Sequence, residues 1–91
     1  MPKYITTLVH GRRGGEGRYE FDAEEKLLDE PPACIMRAFV DSIEQNFKIG
    51  HIDYQINTAT KDQRHGIVTV TGDIIFERGD HQPFMCMIHR P

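Results

Sequence analysis

The chain opens with alternation rather than helical spacing. YITTLVH, residues 4–10, is rich in β-branched side chains and predicts a strand. Ile5, Thr7 and Val9 fall on one side; Tyr4, Thr6, Leu8 and His10 fall on the other. Both sides are partly apolar, which suits a strand well inside a sheet. A second alternation follows, with Tyr19 and Phe21 between Arg18, Glu20 and Asp22. It fits either a short strand returning along the first, or irregular chain with its aromatics tucked under a helix. Asp22 and Glu25 have capping-box spacing, which predicts a short helical turn over 23–29 with Leu27 and Leu28 as its apolar contacts.

The period then changes to that of a helix. Ile35, Met36, Phe39, Val40, Ile43 and Phe47 form one apolar stripe, with Asp41, Glu44 and Gln45 away from it. Pro31 and Pro32 suit the first positions, where a missing N–H is tolerated, and Gly50 suits the stop. The predicted helix spans 32–47. Alternation returns at 51–60, where Ile52, Tyr54 and Ile56 oppose Asp53, Gln55 and Asn57, and KDQRHG, 61–66, reads as a turn. IVTVTGDIIFE, 67–77, places Val68, Val70, Ile74 and Phe76 on an inner face interrupted by Gly72, which marks a bulge or a close approach of the helix. PFMCMIH, 83–89, continues that face with Phe84, Cys86 and Ile88. The expected fold is a single small α+β domain over 1–91. It is a two-layer sandwich, with one main helix packed on a mostly antiparallel four-stranded sheet.

One helix covers one sheet face. The alternation leaves Ile67, Ile75, Met85 and Met87 on the other, as a patch on two neighbouring strands. Exposing such a patch is unfavourable, so a homodimer or higher homo-oligomer is expected, joined face to face or through an edge. At 91 residues the core is modest, and a partner copy would add to it. The leading expectation is a self-associating, non-enzymatic binding or regulatory module.

Composition narrows the alternatives. A net charge of −3 argues against a dedicated nucleic-acid binder. Two cysteines, Cys34 and Cys86, form no disulfide scaffold, and both read as core-type thiols of a reducing compartment. The first ten residues lack a signal-peptide apolar run, and no stretch approaches a membrane span. A cytoplasmic location is expected, with no membrane association.

Two groups of residues carry candidate chemistry. HGRRGGEGR, residues 10–18, holds four glycines and three arginines. Gly14 and Gly15 can aim backbone N–H groups at an anion, and Arg12, Arg13 and Arg18 add paired donors for phosphate or carboxylate. The stretch is neither a Walker loop nor a dinucleotide fingerprint, because no helix opens after it, and Glu16 opposes an anion. It supports a small anionic ligand or RNA-backbone contact, against the plainer reading of a hairpin connection. The second group is His51 with Asp53, two apart on one strand face, where a carboxylate can orient an imidazole for proton transfer. His10 joins them if the first strand lies beside that one. This is the basis of an alternative reading as a small-molecule or phosphate-ester enzyme with its site in a dimer cleft. The five histidines make no compact metal motif. No cofactor and no metal are expected.

Overall fold

The computed structural model describes residues 1–11, 16–47, 50–76 and 79–91, with the backbone alone at 76. Five strands and one long helix follow in the order β1 (Lys3–His10), β2 (Glu16–Asp22), a single 3-10 turn (Leu27–Asp29), α1 (Pro32–Phe47), β3 (Ile52–Asp62), β4 (Ile67–Phe76) and β5 (His81–His89). The strands form one antiparallel sheet in the order β2-β1-β5-β4-β3. The α+β class is as expected, but the sheet has five strands rather than four. The additional strand is β2. Its inward Tyr19 and Phe21 lie opposite Thr6 and Tyr4, so a hairpin with β1 buries them. β1 itself inserts between β2 and β5, with Leu8 level with Cys86 and Thr6 level with Ile88.

α1 begins where the prolines allow. The Pro31 carbonyl accepts from the N–H groups of Cys34 and Ile35 at 2.9 and 3.2 Å, and the missing proline N–H groups fall in the first turn, where no intrahelical partner exists. The Lys61 ammonium donates to the Glu30 carbonyl, and the Tyr54 hydroxyl donates to that of Ala33. These two contacts pin the helix start over β3. The core is closed by Ile35, Met36, Phe39, Val40 and Ile43 against Val68, Val70, Ile74, Phe84, Cys86 and Ile88. An aromatic group extends it over β1 and β2, with Tyr4, Phe21 and Phe39 linked at centroid distances of 5.7 and 5.8 Å. The Tyr4 hydroxyl ties the segment after β2 down by donating to the Glu24 and Glu25 carbonyls.

Phe47, expected in the core, is 55% exposed. It lies in the last turn and packs edge-on against Tyr19 at 5.8 Å. Tyr54 and Ile56 are half-buried at the core's margin, and the expected core position Phe76 lies outside the described side chains. Gly72 meets a bulge: the register of β3 against β4 shifts between Ile56 and Thr58, and a Cβ at Gly72 would stand 1.9 Å from the Gln55 carbonyl oxygen. β3 also runs two residues beyond the expected end, and the connection to β4 shrinks to 63–66.

Candidate functional site

The face of the sheet away from α1 can be read row by row from the strand register. One row runs Thr60, Thr69, Met87, Thr7, Arg18; the next runs Thr58, Thr71, Met85, Val9, Glu16. Met85, Met87 and Val9 are 48%, 39% and 41% exposed and adjoin one another on the neighbouring strands β1 and β5. Thr69 and Thr7 flank Met87, Thr71 and Glu16 flank the Met85–Val9 pair, and Thr58 and Thr71 are hydrogen-bonded across β3 and β4.

Ile67 and Ile75 share this face but not the centre of it. Ile67 is level with His89 and Ile75 with His81, at opposite ends of β4 and roughly 27 Å apart at strand rise. Both are half-buried. The four residues expected to form one patch therefore divide into a central methionine pair and two outlying isoleucines. Val9 completes the centre. Its place was not legible locally, because it depends on β1 inserting beside β5.

At one end of the sheet, His51 stands between two carboxylates. Its Nε2 lies 2.9 Å from Asp53 Oδ1 and its Nδ1 lies 3.3 Å from Glu44 Oε2. Glu44 comes from the last turns of α1 and also accepts from the Ile52 N–H at 3.1 Å, closing the helix end onto β3. Only imidazolium carries an N–H on both nitrogens. The hydrogen bond and charge of Asp53, with Glu44 behind them, accordingly raise the His51 pKa above its ordinary 6.5. The side chain is 61% exposed, an open ion pair rather than a walled catalytic group.

His10 does not join this pair. β5 and β4 separate β1 from β3, roughly 14 Å at sheet spacing. His10 faces the helix side, where its Nδ1 lies 3.1 Å from the carboxamide oxygen of Gln82. Gln82 is buried in the first residues of β5. Beside His10 is a cavity of about 100 Å³ beneath the middle of α1, lined by Leu8, Tyr19, Met36, Phe39, Val40, Ile43, Ile52 and Ile74.

Of the anion-binding candidates, Arg12, Arg13, Gly14 and Gly15 lie outside the described residues. Arg18 is exposed on the edge strand β2, on the open face between Glu16 and Glu20. Two acids two residues away on the same strand face offset its attraction for an anion. Gly17 has a packing role, since the Tyr19 ring lies where a Cβ would be, within 2.7 Å.

The two thiols differ. Cys34 is exposed near the start of α1, contrary to a core reading. Cys86 is buried against the Met36 sulfur at 3.6 Å, and burial pushes its thiol up to about 12. Among the described residues no three His, Cys, Asp or Glu side chains gather to hold a metal ion, and no helix is long and apolar enough to cross a membrane. Comparison with known proteins finds no matching family model, no matching curated protein and no matching solved structure, so a functional reading rests on the chemistry of these surfaces.

Proposed function

We propose that the protein is a self-associating binding module whose interface is the open face of the sheet, joined face to face with a second copy. The observation that carries this reading is the exposed Met85–Met87–Val9 cluster at the centre of that face. Edge pairing is less favourable. β2 presents Glu16, Glu20 and Asp22 along its length, and β3 is interrupted by its bulge.

Magnitudes support the whole face rather than the cluster alone. Five strands of about 25 Å at about 4.8 Å spacing present roughly 600 Å² of projected area, the order of the roughly 800 Å² per partner in a standard interface. Two such faces, about half apolar at about 25 cal/mol/Å², contribute on the order of 15 kcal/mol before association costs of about 4–15 kcal/mol. The surplus, about 0–11 kcal/mol, is small beside the opposing contributions and makes pairing depend on concentration.

Measuring mass in solution by sedimentation tests this. Two chains are expected at high micromolar concentration and one on dilution. Met85→Lys with Met87→Lys places two charges at the centre and should give one chain throughout, with the fold intact by circular dichroism. A parent that stays at one chain, or a double variant that still pairs, removes the proposal.

A further inference from the structure

We propose that Met85 and Met87 form an oxidation site, and that a hydroperoxide converting their thioethers to sulfoxides separates the two copies joined through the open face. The inference rests on the face-to-face reading above and adds how that interface is controlled. The two methionines are two residues apart on β5, roughly 7 Å at strand rise, and share one side of the strand. They are 48% and 39% exposed, so a small peroxide reaches both in the separated chain. With Val9 they make up the exposed apolar centre of the face, and two of those three groups are therefore oxidisable.

Exposure divides the sulfur groups of the chain. Met36 and Cys86 are buried against each other at 3.6 Å beneath α1, where packing shields them from a reagent in water. Met1 and Cys34 are open, but both line a groove along α1 with Leu27, Ala38 and Asp41, in the helix layer rather than on the open face. Only Met85 and Met87 combine access with a place at the centre of the proposed interface. In the reaction a thioether lone pair attacks one peroxide oxygen. The S–O bond forms as the O–O bond breaks, and the second oxygen leaves as water with both protons. The sulfur loses two electrons and the peroxide gains them, and a flexible apolar side chain becomes a polar one. An isologous interface uses the same patch on both copies, so two sulfoxides from each copy meet at its centre. Burying polar groups without partners is unfavourable, so the oxidised chain should pair about a hundredfold or more weakly.

Hydrogen peroxide is the probe. The full chain is treated, the excess is destroyed, and dithiothreitol returns any oxidised thiol, which leaves sulfoxides in place. Peptide mass spectrometry should find one added oxygen on Met85 and on Met87 and none on Met36. Sedimentation should then give one chain at a concentration where the untreated protein gives two, with circular dichroism unchanged. Met85→Leu with Met87→Leu keeps the face apolar and should pair before and after treatment, although Met1 and Cys34 are still present. Reduction of the sulfoxides by methionine sulfoxide reductases of both epimer specificities should restore pairing in the parent. That recovery needs no variant, so it decides the matter even if the leucine pair fails to fold. A parent that never pairs removes the face-to-face reading and this inference with it. A parent that pairs, and still pairs with both sulfurs oxidised, overturns this inference alone. So do oxidation of Met36 to the same extent, loss of the folded circular dichroism signal, separation of the leucine variant by peroxide, or no recovery on reduction.

Discussion

Met87 and Ile88 are neighbours in the chain and opposites in the fold. Ile88 is fully buried under α1, level with Thr6 and Val68; Met87 is 39% exposed on the other side, between Thr7 and Thr69. The two faces of the sheet thus carry similar side chains under different rules. The helix side is committed, with Ile35, Met36, Phe39, Val40 and Ile43 packed against the inner residues of β4 and β5. The open side mixes methionine, valine and isoleucine with threonine at its centre and with Glu16, Arg18, Glu20, Asp53 and Asp73 toward its margins, a surface that tolerates water and can also be covered. Amino-acid type alone does not separate a core face from an open one here; the placement of the single helix does.

The sharpest way to break this comparison is to truncate the two neighbours in turn. Ile88→Ala removes buried methyls from a packed layer and should lower unfolding stability by about 2–5 kcal/mol. That is a large share of the roughly 5–14 kcal/mol expected of a 91-residue domain. Met87→Ala should change the stability of the separated chain by about 0.5 kcal/mol or less while weakening self-association. Urea unfolding at low concentration, where chains are apart, separates the two effects. Equal losses for the two variants would mean that both faces belong to one closed core.

A smaller effect of opposite sign comes from the committed face itself. Thr6 is fully buried, and its Oγ1 is the one buried polar side-chain atom among the described residues without a hydrogen-bond partner. Thr6→Val keeps the shape and removes the unpaired hydroxyl. It should stabilise the chain by about 1 kcal/mol, read as a higher urea midpoint at unchanged slope. A loss of stability would show that the hydroxyl is satisfied and that this face is less dry than its neighbours imply.

The committed face was the legible one. Val68, Val70, Ile74, Phe84, Cys86 and Ile88 keep one phase along β4 and β5, while the alternate positions mix Thr69, Thr71 and Asp73 with Ile67, Ile75, Met85 and Met87. The helix bounds were also readable, from a proline pair and an unbroken stripe. Three things were not. The insertion of β1 beside β5 is a long-range pairing that no local pattern specifies, so Val9 was missed as a neighbour of Met85. The bulge at Asn57 reverses the alternation of β3, which brings Ala59 and Lys61 level with Val70 and Val68 and hides the strand's last residues from a period-two reading. Glu44 and Gln82 were missed as partners of His51 and His10 because each pairing crosses between elements. His51 with Asp53 was found because both lie within three residues of one strand end.

That pair gives the smallest and most specific test, at the seam between the two faces. Glu44 reaches His51 from the helix layer and Asp53 reaches it from the open side of β3. The hydrogen bond that His51 donates to Asp53 is the largest cause of its raised pKa, followed by the charge of Asp53, with Glu44 contributing less. Because the folded-state pKa lies above the unfolded value of about 6.5, the pair's contribution to stability is fully present below that value and fades as pH rises through the folded pKa. The imidazole is exposed to solvent, so salt screens it and the change is modest. Following His51 by NMR should give a titration midpoint above 6.5 in the parent. Asp53→Asn should move it downward by more than Glu44→Gln does, although Glu44→Gln also disturbs the cap on the Ile52 N–H and so touches the helix layer. If instead Glu44→Gln moves the midpoint further, His51 answers chiefly to the helix, and the seam belongs to the committed side of the molecule.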